Sequence, residues 1–210
     1  EQNSFAARVE NIAAVPTYVL GSPGAGNLAV CAGTAPPAIP LSLTAFLGFN
    51  SPVTMSTPGI NAAVFPSAVF TPNPVTPTPA GVATSLALTT AAGATGGIYP
   101  VTIQASNGGA TPIVRSAVAS IAVNSATPAP SALTAPADAA VAQLLRPVFT
   151  WAATPDANGY RIEVSTSNTF GTLVASATPT ATTFTPATDL ADDTEYFWRV
   201  RAENACGNGN

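Results

Sequence analysis

Thr194-Glu195-Tyr196-Phe197-Trp198-Arg199-Val200-Arg201-Ala202 alternates at a period of two, with Tyr196, Trp198, Val200 and Ala202 on one side and Glu195, Arg199 and Arg201 on the other. Such alternation is the signature of a half-buried strand, because successive side chains of extended backbone point to opposite faces. Upstream, Val148-Phe149-Thr150-Trp151 and Tyr160-Arg161-Ile162-Glu163-Val164 repeat it. The 194–202 strand reads as one wall of a β-sandwich. Arg161 and Glu163 share their outward phase with Arg199, Arg201 and Glu203, so cross-strand ion pairs are expected there. Trp151 and Trp198 fall on the inward phase, as core residues do.

The spacing from Trp151 to Tyr160 to Tyr196 resembles that of a fibronectin type III domain, and Leu190, Thr194 and Tyr196 match the family's tyrosine corner. The resemblance implies a phenol hydroxyl bonded back to the chain near the preceding turn. It also implies a final strand after Asn204. Ala205-Cys206-Gly207-Asn208-Gly209-Asn210 carries no apolar alternation, so that strand is expected to be absent. Tyr196, Trp198, Val200 and Ala202 then mark an edge able to accept a strand from elsewhere.

At 210 residues the chain suits two sandwiches of roughly 100 residues each. Charged residues are 8% of the chain, with neither Lys nor His, and from Asn11 to Val114 there is no charged side chain at all. Disorder is excluded by the recurring Val, Ile, Thr and Phe alternation, which supplies surface to bury. A net charge of −4 without basic clusters argues against nucleic acid as a partner. No apolar run approaches the ~20 residues of a membrane-spanning helix. Glu1 begins without a charged and apolar leader, so any secretion signal is expected to have been removed.

In the first half, Phe5, Ala7 and Val9 share one side of a short strand that Gly21-Ser22-Pro23-Gly24-Ala25-Gly26 separates from the strands after residue 27. Strands are expected over 13–20, 28–31, 41–46, 52–56, 85–89, 98–105 and 117–123, with turns at sandwich spacing. Gly93 to Gly97 lacks the lysine and helix of a phosphate loop and reads as a hairpin connection. Thr71 to Pro79 has too many prolines for an interior strand and belongs to an edge or loop. Val30-Cys31-Ala32-Gly33, Gly48-Phe49-Asn50-Ser51-Pro52-Val53-Thr54, Phe70-Thr71-Pro72-Asn73-Pro74-Val75 and Gly97-Ile98-Tyr99-Pro100-Val101-Thr102-Ile103 resemble an Ig-like repeat of large secreted bacterial proteins, including the tails of extracellular proteases. The expected organisation is an N-terminal strand segment over 1–26, an Ig-like sandwich over 27–124, a linker over 125–130 and a fibronectin type III-like sandwich over 131–210.

Chemistry is sparse. Without His, neither Ser-His-Asp nor Cys-His catalysis is available, nor a helical HExxH zinc site. Asp189, Asp192, Asp193 and Glu195 crowd one turn; they lack an apolar pocket to split their pKa values, and read as a solvated turn ahead of a calcium site. Cys31 and Cys206 are too few for structural zinc. An oxidised pair in a secreted protein is the leading reading, within one chain, between chains or to another segment, with free thiols as the remaining option.

Taken together, the residues describe an all-β, non-catalytic structural or interaction protein with no cofactor, located outside the cell or at its surface. Self-association is the expected partnership, with Phe5, Ala7 and Val9 as donor strand and Tyr196, Trp198, Val200 and Ala202 as acceptor edge. Another extracellular protein is the second choice of partner, and glycan binding stays without support. The alternatives are an accessory module of a larger secreted hydrolase and an adhesin repeat.

Overall fold

A computed structural model describes residues 15–21 and 28–209. Every element among them is a strand or a connection: β1 Thr17–Leu20, β2 Leu28–Cys31, β3 Ile39–Phe46, β4 Thr54–Ser56, β5 Ser67–Thr71, β6 Val82–Thr89, β7 Gly97–Ser106 and β8 Val114–Asn124, then β9 Leu133–Ala135, β10 Phe149–Trp151, β11 Gly159–Ser165, β12 Ala175–Ala177, β13 Thr183–Phe184, β14 Phe197–Asn204 and β15 Gly207–Asn208. The chain forms two sandwiches in tandem, antiparallel throughout their named strand pairs except where β2 joins β8.

The first sandwich packs sheet β1-β3-β6-β5 on sheet β2-β8-β7-β4. In β3, Ile39, Leu41, Leu43 and Ala45 are buried while Pro40, Ser42 and Phe46 are exposed, a strict period of two that leaves one register able to bury the apolar set. Tyr18, Leu43, Leu86, Ile103 and Ile121 are the largest fully enclosed side chains of this core. Each aliphatic member contributes about 1.5–3 kcal/mol by leaving water. The long β7–β8 hairpin pairs ten residues against ten. Beside it β2 runs parallel to β8, from Leu28 opposite Ile121 to Cys31 opposite Asn124.

Two expectations for this half need correcting. Residues 93 to 97 do not close a hairpin: they carry the chain from β6 to β7, which lie in different sheets. Gly33 N–H and Thr90 N–H bond to Ala91 and Thr34 carbonyls across that crossover. Ser67–Thr71 is a strand where none is expected, because its Ser-Ala-Val-Phe-Thr run alternates only weakly; it forms the sheet edge against β6. The proline-rich segment after it is a connection, fixed where Asn73 accepts from Met55 N–H (2.9 Å) and donates to Met55 O (3.0 Å).

The second sandwich packs sheet β13-β10-β9 on sheet β12-β11-β14-β15. Its core is Phe149, Trp151, Tyr160, Ile162, Val164, Val200 and Ala202, with Tyr196 and Trp198 packed against it. Trp198 lies 5.1 Å from Phe149, ring centre to ring centre, so both tryptophans do face inward. The tyrosine corner is present with the backbone as donor: Ala191 N–H reaches Tyr196 Oη at 2.9 Å.

The sandwiches meet at a polar and covalent junction. Cys31, closing β2, is disulfide-bonded to Cys206, in the turn between β14 and β15. Asn204 Nδ2 donates to Ala126 O (2.8 Å) and to Asp156 O (3.1 Å), tying the linker and a loop of the second sandwich to the same turn.

Candidate interaction surface

The expectation that the second sandwich lacks its last strand is corrected by β15, which pairs antiparallel with β14 through Glu203–Asn208 and Asn204–Gly207. Asn204 Oδ1 accepts from Cys206 N–H at 2.8 Å, and Gly207 takes φ 118°, which lets the chain reverse in so few residues. The disulfide and the linker then hold it. A Cβ on Gly209 would strike the Pro128 carbonyl oxygen, so only glycine fits there. Gly-Asn-Gly gives no apolar alternation, and for that reason the strand leaves no trace in the sequence pattern.

β15 nevertheless covers only the end of its neighbour. Tyr160 N–H bonds to Pro179 O on the β12 side of β11, so alternation turns the backbone groups of Arg161, Glu163 and Ser165 towards β14. Their partners are Arg201, Arg199 and Phe197. Trp198, Val200 and Ala202 therefore direct their backbone groups to the opposite edge, where Gly209 N–H takes the Ala202 carbonyl at 2.7 Å. Among the described residues no strand pairs with β14 between Phe197 and Arg201 on that side. Of the expected acceptor residues, Ala202 is thus occupied. Trp198 and Val200 carry the open edge, and Tyr196 precedes the strand. A shallow groove of about 460 Å³, lined by Arg199, Val200, Arg201, Asn208 and Gly209, runs along it. The expected donor residues Phe5, Ala7 and Val9 lie outside the described residues.

The outward face beside this edge is charged. Glu163, 7% exposed, receives Arg199 at 2.6 Å and Arg161 at 3.1 Å. Burial pushes the Glu163 carboxyl upward in pKa, but the bond and charge of Arg199, the bond from Arg161 and the charge of Arg201 together hold it below the usual glutamate value. Arg199 also lies over the Phe170 ring, 4.1 Å from its centre. Asp189, Asp192, Asp193 and Glu195 are all exposed on the turn leading into β14. Asp189 lies 4.0 Å from Arg146, and among the described residues no three acidic or cysteine side chains converge on a point where a metal ion would bind.

No family model matches the chain, and no curated protein does. Among solved structures the chain is similar to titin domains A168–A170, at 16% identity and a TM-score of 0.50, over 93% of this chain and 63% of that one. It is also similar to the FN1–FN3 domains of chicken CNTN1, at 14% identity and a TM-score of 0.41, over 90% of this chain and 62% of that one. The chain thus spans about three fifths of each of these multidomain structures. The likeness is one of fold: two Ig- and fibronectin type III-like sandwiches in tandem.

Proposed function

We propose that the chain is a structural subunit of an extracellular assembly, joined to its neighbours by strand addition at the β14 edge. The supporting observation is the run of backbone from Phe197 to Arg201 that pairs with β11 on one side only among the described residues. Unpaired strand edges invite another strand. The donor in this reading is Phe5 to Val9 of an adjacent copy, where Phe5, Ala7 and Val9 would fall on one face of an extended strand. A segment passed from each copy to the one before gives an open, head-to-tail array. The disulfide fits an oxidising location, and the charge-free stretch from Asn11 to Val114 sets up no repulsion between packed neighbours.

Negative-stain microscopy and light scattering of the purified chain test this. Wild type forms fibres or higher oligomers, and the double variant Phe5→Asp, Val9→Asp is monomeric. A monodisperse wild-type monomer at high concentration, or a double variant that assembles like wild type, overturns the reading.

A further inference from the structure

The molecule has two outer poles, one on each sandwich, facing away from the disulfide junction. Cys31 and Asn124 close β2 and β8 at the junction. The opposite pole of the first sandwich therefore holds the start of β1, the end of β3 and the start of β8. There Val15, Phe46, Leu47 and Val114 are exposed. Arg115 stands among them, its guanidinium fixed by Thr17 Oγ1 (2.9 Å), Val114 O (3.1 Å) and Tyr18 O (3.2 Å). It is the one charged side chain between Asn11 and Ala137.

The far pole of the second sandwich is made by the 136–148 loop and the 185–196 turn. Val141 is 83% exposed and Leu144 78%, an unusual display of large apolar side chains. Ala139 and Ala142 hold φ values of 54° and 56°, a region costly for alanine, and these bends shape the loop that carries them. The loop is tied to the acidic turn by Leu190 N–H to Leu145 O (2.8 Å) and by Arg146 Nε to Pro186 O (2.9 Å). The apolar loop and the acidic turn so adjoin, and the two segments carry Asp138, Asp189, Asp192, Asp193 and Glu195 with one arginine, Arg146, 4.0 Å from Asp189.

We infer that these poles dock on each other between successive copies, Val141 and Leu144 of one copy packing on Phe46 and Leu47 of the next while its Arg115 meets the carboxylates of the 189–195 turn. The occupant is a second copy because the two surfaces are complementary in charge and both apolar, one basic on a neutral sandwich and one acidic. Chain continuity agrees. Val15, the first described residue, lies at the basic pole, and the open β14 edge begins at Phe197, beside the acidic pole. The span from Val9 to Val15 has a reach of about 20 Å when extended. Docking would therefore deliver the donor segment to the edge it is proposed to fill. The inference rests on the assembly reading above, but its contacts are different ones.

The experiment is a charge swap read by light scattering and microscopy. Arg115→Glu alone, and Asp192→Arg with Asp193→Arg alone, should each raise the concentration needed for half-assembly at least tenfold. An equimolar mixture should restore assembly, since the carboxylate placed at position 115 then meets the arginines placed at 192 and 193, while the native Arg115 meets the native carboxylates. Val141→Asp with Leu144→Asp, at positions too exposed to unfold the domain, should weaken assembly equally with unchanged circular dichroism. If all these variants assemble like wild type while Phe5→Asp, Val9→Asp does not, pole docking is wrong and strand donation stands. If the mixture stays as weak as its components, the assigned charge contact is wrong.

Discussion

Glu163 stands directly opposite Arg199 on the β11–β14 ladder, its Oε2 2.6 Å from the guanidinium, while the next hydrogen-bonded step of the same ladder sets Arg161 against Arg201. Like charges in that position repel. Glu163 sits between them and neutralises part of the repulsion, so its removal should leave three arginines on one face. Glu163→Gln is expected to lower stability by about 1–3 kcal/mol, the cost of losing a bond between charged groups at a largely buried site.

The same carboxyl gives a pH signature. Its folded pKa lies below the ordinary value of 4.5, so the folded state holds the proton less tightly than the unfolded chain does. The stabilisation is complete above the unfolded value and is lost as pH falls through the folded one. Urea melts of wild type should weaken below about pH 4.5, and those of Glu163→Gln should weaken less over that interval. Equal slopes would show that the ladder contributes no pH-dependent stability.

Tyr18 makes the opposite prediction at alkaline pH. Its ring is fully buried and its hydroxyl donates towards Ala105 O (2.7 Å) and Ile113 O (2.8 Å). Burial raises its pKa above 10.0, with the charge of Arg115 pulling the other way. Stability from this group is therefore present below pH 10 and lost as pH rises through the folded value. Tyr18→Phe should cost about 1 kcal/mol at neutral pH by removing the buried hydroxyl's hydrogen bonding to these carbonyls. It should also flatten the alkaline unfolding curve above pH 10.

The disulfide spans 175 positions of sequence. On the chain-entropy account, closing so long a loop is worth about 5 kcal/mol at most, with strain and residual structure reducing it. Cys31→Ser with Cys206→Ser should lower the melting temperature. It should also free the Gly209 amide, which bonds to Ala202 O, so that hydrogen exchange at Gly209 accelerates well before the β11–β14 amides respond.

Hydrogen exchange also reads the open edge directly. In dissociated protein the amides of Trp198 and Val200 should exchange fast and those of Arg199 and Arg201, turned towards β11, slowly. On assembly the Trp198 and Val200 amides should become protected. Fast exchange at both in assembled material would rule out strand addition there.

The part of the fold legible in the sequence is the part that obeys a burial period. β3, β7, β8 and β14 bury one face each, so Leu41, Leu43, Ile103, Ile121 and Val200 announce both the strand and its inner side. β15 is invisible because Gly207 and Asn208 bury no apolar side chain; its position is set by a turn, a disulfide and the close approach of Pro128 to Gly209, none of which leaves a periodic mark. β5 hides for a related reason, since an edge strand needs only half the alternation. The charged ladder is legible as sharing one face, but its register is not. Only the fold places Glu163 opposite Arg199 and sets Arg161 against Arg201. The exposed 136–148 loop escapes sequence reasoning altogether, because nothing in Ala-Val-Ala-Gln-Leu-Leu marks the left-handed turns at Ala139 and Ala142 that accompany the exposure of Val141 and Leu144.

The bond from Cys31 to Cys206 also decides how the molecule bears tension. A pulling force that enters upstream of Cys31 and leaves downstream of Cys206 passes through the two sulfurs and bypasses the sandwiches between them. Only the segments outside the bond, β1 on its ladder with β3 and β2 beside β8 upstream and β15 against β14 downstream, stay in the load path. An oxidised link in such a chain would stretch little before breaking a covalent bond. Reducing it would release slack on the order of 600 Å, at about 3.4 Å for each bypassed residue.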